Sequence, residues 1–251
     1  MRVHRPVRLP LATMIGLVGL CGLFGCGSAS GEDPAAARAR MMREVDADVA
    51  RSSDVLDGPR LSRAVRDAML KVPRHEFVPS EMRRWAHDNR PLPIGNGQTI
   101  SQPTIVAMMS DLIAVGAGDT VLEVGAGSGY QAAVLAEICG HVHTIEIVPE
   151  LARTARKRLD ALGYDNVTVY EGDGYLGVPD HAPYAGIIVT AAPEHVPPAL
   201  IEQLAPGGRL VIPVGRQGWT QSLTVVKKSR DGRVTRREVL PVRFVPLTRD
   251  E

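Results

Sequence analysis

Apolar positions along the chain change period several times, and each change marks an element. Leu61, Val65, Met69 and Val72 recur at helical spacing, with Ala64 and Ala68 on the same face, and Pro73 closes the run. Ile105, Met108, Leu112 and Ile113 mark a second amphipathic helix. Between these helices, residues 89–101 are rich in Pro, Gly and Asn and read as a loop. Short β-branched runs then predict strands at Thr120–Val124, Val142–Ile147, Val167–Tyr170, Gly186–Thr190 and Arg209–Val214. Helical spacing predicts Tyr130–Ile138, Pro149–Leu162 and Pro197–Leu204 between them. Strand and helix in alternation imply βαβ units, hence an α/β fold with a doubly wound, mostly parallel sheet. Ser222–Lys227 and Val234–Leu240, joined by a turn at Asp231-Gly232, predict two antiparallel strands at the C-terminal end. Residues 42–251 thus read as one domain in which a helical lobe leads into the α/β core.

The first residues follow a different pattern. Residues 1–8 carry three arginines and no acid, and residues 9–25 are apolar and rich in Gly. That order is the form of an export signal. Leu23-Phe24-Gly25-Cys26 resembles a lipoprotein box, so residues 1–26 are expected to act as a signal, with a lipid anchor at Cys26. Residues 27–41 are expected to form a flexible tether. Used in this way, the segment places the protein in the cell envelope. Translation starting near Met41 leaves a cytoplasmic protein instead.

Composition narrows the choice. Lys and Arg number 29 and Asp and Glu 28, a net charge of +1, so the basic excess of a nucleic-acid binder is missing. Aromatic residues make up 4%, too few for base-stacking platforms. Three cysteines form no disulfide framework, and Cys139 reads as an inert core thiol. His141 and His143 alternate on one strand without a third ligand, so no metal site is expected.

Val121-Leu122-Glu123-Val124-Gly125-Ala126-Gly127-Ser128-Gly129-Tyr130 runs from a buried strand through a glycine loop into a helix. Gly125, Gly127 and Gly129 allow tight turns and close approach of a ligand to the backbone. Tyr130 occupies the place of the last glycine in the dinucleotide fingerprint. Glu123 precedes the loop, Glu146 ends the second strand, and Asp173 follows the third in Glu171-Gly172-Asp173-Gly174. Acids after three successive strands suit a nucleoside without phosphates, and the sequence has no phosphate-binding G-x-x-x-x-G-K-[ST] loop. The loop resembles that of S-adenosylmethionine-dependent methyltransferases. In such a site Glu123 orients the methionine part, Glu146 accepts the ribose hydroxyls, and Asp173 accepts from the adenine amino group.

Further segments sharpen the resemblance. Val72-Pro73-Arg74-His75-Glu76-Phe77-Val78-Pro79, Gly97-Gln98-Thr99-Ile100-Ser101-Gln102-Pro103, Ile187-Ile188-Val189-Thr190-Ala191-Ala192-Pro193 and Phe244-Val245-Pro246-Leu247-Thr248 closely resemble the protein-L-isoaspartate O-methyltransferases. Tyr184-Ala185 departs from the Tyr-Asp of many members. The resemblance implies a Rossmann-like class I methyltransferase that esterifies the α-carboxylate of isoaspartyl residues, starting their repair through a succinimide. It implies damaged proteins and peptides as partners; no nucleic acid partner and a monomer are expected as well. Ser101 is then the active-site serine that holds the acceptor carboxylate. Thr99, Ile100, Gly174 and Thr248 join Glu123, Glu146, Asp173 and the three loop glycines around the cofactor. Taken alone, Ser101 also reads as a helix N-cap. Methylation of another carboxylate or small molecule stays open, as does an exported module that binds cofactor without turnover.

Overall fold

The computed structural model describes residues 33–52, 56, 58 and 60–249. The expected signal with Cys26 and the start of the expected tether lie outside them. Within the described part, residues 33–41 are not a tether. They open α1 (Pro34–Arg51), whose N-cap Asp33 accepts hydrogen bonds from the amides of Ala35 and Ala36. Ala37, Met41, Val45 and Val49 fall four residues apart on one face and are buried, with Met42 beside them. This face packs on α2 (Arg63–Lys71) and α3 (Pro103–Leu112), and its burial stabilises the helix.

The expected loop at 89–101 also has structure. Leu92–Gly95 (β1) and Gln98–Ile100 (β2) pair antiparallel, with Leu92 opposite Ile100. Asn96 and Gly97 turn the chain at φ 50° and 69°. Positive φ at both central residues matches the twist of a tight hairpin, and Asn-Gly is the dipeptide that adopts it most readily.

The core is a seven-stranded sheet in the order β5-β4-β3-β6-β7-β8-β9. Its strands are β3 (Thr120–Val124), β4 (His141–Glu146), β5 (Val167–Glu171), β6 (Tyr184–Val189), β7 (Leu204–Val214), β8 (Gln221–Lys228) and β9 (Val234–Val242). Pairing is parallel from β5 to β7, and β8 and β9 add antiparallel, as the pattern predicts. Alternation along β3 sends Val121 into one apolar cluster and Leu122 and Val124 into the other. The first cluster joins the sheet to α1–α3 and to α4 (Tyr130–Ala136), while the second holds Leu200 of α6 (Pro198–Glu202). The helix α5 (Pro149–Ala161) packs on β4 and β5. Ala185 lies where the register of β6 on β7 shifts, and its neighbour Tyr184 is fully buried and donates to the carbonyl of Val178 at 2.7 Å.

Strand order reverses between β3 and β6. From β3 the chain steps outward through β4 to β5, then returns to β6 on the other side. Backbone groups at the carboxyl ends of β3 and β6 therefore face a crevice that no connection crosses, the usual ligand position in such sheets.

Candidate active site

Two adjoining cavities open at this reversal. The first is lined by the glycine loop, Glu123, Glu146, Gly174 and the chain end through Thr248. The second lies between Pro91, Ile105 and the segment from Pro241 to Val245. Thr99, Ser101, Thr190 and Val245 line both.

Gly125 and Gly127 have φ of 96° and 51°, a region that side chains rarely adopt. A Cβ on Gly125 would strike the hydroxyl of Thr190, which donates to the carbonyls of Gly125 at 2.7 Å and Val124 at 3.1 Å. Gly129, at φ 88°, turns the chain into the start of α4. It does not line the cavity, and a Cβ there would lie 3.2 Å from Leu159 of α5. It lets α4 begin close against α5. Arg158 of α5 braces the loop by donating to the carbonyl of Ser128 at 2.6 Å.

Glu123 is wholly buried. One carboxylate oxygen accepts from Thr144 at 2.5 Å, and Oε1 has no partner. Burial raises its pKa to about 8, helped by the charge of Glu146, while the Thr144 bond opposes the rise. Glu123 lines the first cavity, and a buried carboxylate oxygen without a hydrogen-bond donor calls for a cationic or donor group from a ligand. Glu146 accepts from the amides of Gly127 at 2.8 Å and Val148 at 3.0 Å. These bonds fix its carboxylate at the cavity wall with lone pairs left for hydroxyls. The donor set thus fits an aminoacyl nucleoside. The third acid behaves otherwise. Asp173 does not line the cavity, and its Oδ1 accepts from the amide of Tyr175 at 2.8 Å, capping the turn after β5. Gly174 forms the wall there instead, held tight under Val124.

Ser101 is not a cap. The N-cap of α3 is Gln102, and the Ser101 hydroxyl has no hydrogen-bond partner among the described residues. The hairpin β1–β2 carries Thr99, Ile100 and Ser101 to the junction of the cavities. The far wall comes from the chain end. Ala192 donates to the carbonyl of Val245 at 2.8 Å and accepts from Leu247 at 3.0 Å, and the side chain of Gln221 brackets both backbone groups of Phe244. Sequence patterns missed Thr190 as a lining residue, although it stands in a segment that carries the family resemblance. Glu194 and His195 are exposed and line neither cavity, and Glu194 lies 3.9 Å from Arg216. His141 and His143 lie ring to ring at 4.6 Å, and no metal-binding cluster occurs among the described residues.

Comparison with known proteins shows the family. The family model for protein-L-isoaspartate(D-aspartate) O-methyltransferase matches residues 55–251. Protein-L-isoaspartate O-methyltransferase 2 of Syntrophobacter fumaroxidans is 56% identical over 218 residues, covering 86% of this chain and 88% of the relative. A solved protein-L-isoaspartate O-methyltransferase superposes with a TM-score of 0.72 at 28% identity, covering 83% of this chain and 65% of that one. A Plasmodium falciparum protein described as a putative member, solved in complex with S-adenosyl-L-homocysteine, shares the fold. Its TM-score is 0.69 at 21% identity, covering 87% of this chain and 99% of that one. With a family model spanning most of its length and a relative more than half identical, the chain belongs to the S-adenosylmethionine-dependent protein-L-isoaspartate O-methyltransferases.

Proposed function

We propose that the first cavity holds S-adenosylmethionine and that Ser101 holds the α-carboxylate of an L-isoaspartyl residue presented through the second. The observation that carries this is the unpartnered Ser101 hydroxyl at the junction of the cavities. When bound, the cofactor would supply a sulfonium-activated methyl carbon for attack by a carboxylate oxygen, with the thioether sulfur of S-adenosylhomocysteine as leaving group. A carboxylic acid with a pKa near 4 is ionised at neutral pH, so no general base is required. The remaining work is alignment and exclusion of water. Ser101 donates to one acceptor oxygen and leaves the other to attack. Glu123 meets the amino group of the methionine part, and Glu146 accepts the ribose hydroxyls. Thr99, Ile100, Gly125, Gly127, Gly174 and Thr248 shape the walls. Asp173 acts indirectly, by holding the turn that places Gly174.

Methyl transfer to an isoaspartyl peptide beside its normal aspartyl twin tests this reading. Base-labile label on the isoaspartyl peptide alone is expected, with a loss of about 10- to 100-fold in kcat for Ser101→Ala. Equal labelling of both peptides would refute the acceptor assignment, and an unchanged Ser101→Ala variant would refute the role of the serine.

We also propose that residues 1–26 direct the protein to the cell envelope, with Cys26 lipidated. The basic head, apolar run and cysteine in that order support this. Fractionation of the full chain and of Cys26→Ser tests it: wild type in the membrane fraction and the variant released are expected, and both in the cytosol would overturn it. The charged outer strand supports a monomer. Arg236, Arg237 and Glu238 are arrayed along β9, which discourages edge-to-edge pairing.

A further inference from the structure

Arg74 is fully buried, the largest such side chain among the described residues. It stands at the start of a short 3₁₀ helix, Arg74–Phe77, in the lobe behind the hairpin. Its Nε donates to the carbonyl of Ala86 at 2.8 Å, and Nη2 donates to the carbonyl of Ser101 at 2.8 Å. The guanidinium lies 4.7 Å from the ring centroid of Tyr130, the first residue after the glycine loop. No carboxylate pairs with it among the described residues, and Nη1 is buried without a partner. Burial lowers its pKa to about 10, so it remains a cation at neutral pH.

A buried, unpaired cation is a poor device for stability alone, because hydrophobic residues of similar volume often serve as well. Its geometry is better suited to placing one backbone segment. The planar fork grips two carbonyls while its face rests on Tyr130, which also lines the cofactor cavity. A lysine ammonium offers neither the fork nor the flat face. We infer that Arg74 is a positioning residue for the methyl transfer, fixing Ser101 against the helix that begins at the glycine loop. The inference rests on the reading of Ser101 given above.

The charge relations explain why the guanidinium holds the serine and not the acceptor. As an anionic carboxylate attacks a cationic sulfonium centre, charge disappears on the way to the transition state. A cation paired directly with the carboxylate would favour the charged ground state over that transition state and slow the reaction. Arg74 lines neither cavity and reaches the acceptor side only through the Ser101 backbone. Its contribution should therefore appear in kcat, through alignment, and not in cofactor affinity.

The test uses Arg74→Lys and Arg74→Met in the full chain, each in the wild-type and Ser101→Ala backgrounds. The Met variant removes the buried charge, so the pair covers the case in which one variant fails to fold. Methyl transfer to an isoaspartyl peptide gives kcat and KM, and calorimetry gives the Kd of S-adenosylhomocysteine. A fall in kcat of about 10- to 100-fold is expected in the wild-type background. In the Ser101→Ala background the same substitution should have an effect below about threefold, because the two residues act as one unit. The Kd for S-adenosylhomocysteine should change by less than about twofold for Arg74→Lys. A full-sized effect in the Ser101→Ala background, or a kcat loss matched by weaker S-adenosylhomocysteine binding, overturns the inference and leaves the role of Ser101 standing. A Ser101→Ala variant with unchanged kcat overturns both.

Discussion

The proposed cofactor wall and the proposed acceptor wall meet at Thr99, Ser101, Thr190 and Val245, but they are assembled from different stretches of chain. Glu123, Gly125, Gly127, Glu146 and Gly174 come from three consecutive strands and the turns that follow them. Their backbone is held by the parallel sheet, as when Gly125 donates to Ile145 at 2.8 Å. The acceptor wall joins residues near Ser101 to residues near Phe244. What binds them is a set of bonds between distant segments: Gln221 to Phe244, Ala192 to Val245 and Leu247, and Arg74 to Ser101. Even the start of α3 is tied back to α1, through Asp48, which accepts from Asn89 at 2.7 Å and Thr104 at 2.9 Å. One wall is a consequence of sheet formation. The other exists only when the N-terminal lobe and the chain end are both docked, so the walls should fail in different ways.

The largest effect should follow Gly125→Ala. Its positive φ and the nearby Thr190 hydroxyl together should destabilise the protein by about 2–4 kcal/mol. Denaturant unfolding should show this, and S-adenosylhomocysteine binding should weaken at least about tenfold. Retention of wild-type binding would show that the cofactor wall is more compliant than the sheet geometry implies.

Protonation separates the walls further. With a pKa of about 8 in the free protein, Glu123 is mostly protonated at neutral pH. It must ionise to meet an ammonium group, so cofactor binding releases a proton. Affinity should rise as pH increases from about 6 toward 8, by at most about tenfold per unit, and fall again at higher pH as the α-amino group of the ligand, whose own pKa lies near 8, loses its proton. Glu123→Gln should flatten that slope. The KM of the acceptor peptide should not follow it, because its carboxylate titrates near pH 4.

Unpinning the chain end comes next. Gln221→Ala removes two bonds to Phe244, each contributing about 1 kcal/mol. Acceptor KM should rise about three- to tenfold, with a stability loss of no more than about 2 kcal/mol in denaturant unfolding. A larger loss would mean that the chain end belongs to the core.

Acid should distinguish the walls least, because each half holds a buried neutral histidine. His87 lies behind the acceptor wall, beside His75 at 5.4 Å between rings. His143 lies in β4 and stacks on His181 at 4.3 Å. Burial lowers both pKa values from 6.5 to about 4. The unfolded chain then binds more protons than the native one between these values. Stability present above pH 6.5 is therefore lost progressively as pH falls toward 4. Thermal unfolding from pH 7 to 4 should show this decline, and His143→Gln should reduce its slope.

Much of this was legible in the chain. The strand Thr120–Val124 falls where its pattern puts it, because a short, mostly buried run with Val121, Leu122 and Val124, closed by glycine, leaves few alternatives. Glu123 and Glu146 reach the cavity because strand ends and ligand crevice coincide in a doubly wound sheet. The signals for α1 were also present, in Asp33-Pro34 and the four-residue spacing from Ala37 to Val49. Neighbouring Gly, Ser and Ala concealed them, and only packing on α2 and α3 makes that face worth burying. The hairpin was concealed in the same way, since Asn96-Gly97 signals a turn but not which flanking residues will pair.

The sequence by itself determined the sheet, the glycine loop and the two acids that line the first cavity. These depend on period, turn chemistry and the end of a strand, all properties of short contiguous stretches. Tertiary structure alone decided that Gly129 packs against α5 and that Ser101 presents a free hydroxyl instead of a helix cap. It also decided that Arg74 grips the Ser101 backbone. The identity of a residue fixes which bonds it can make. Which bond it does make depends on the partner that folding brings within about 3 Å, and here those partners lie far away in the chain.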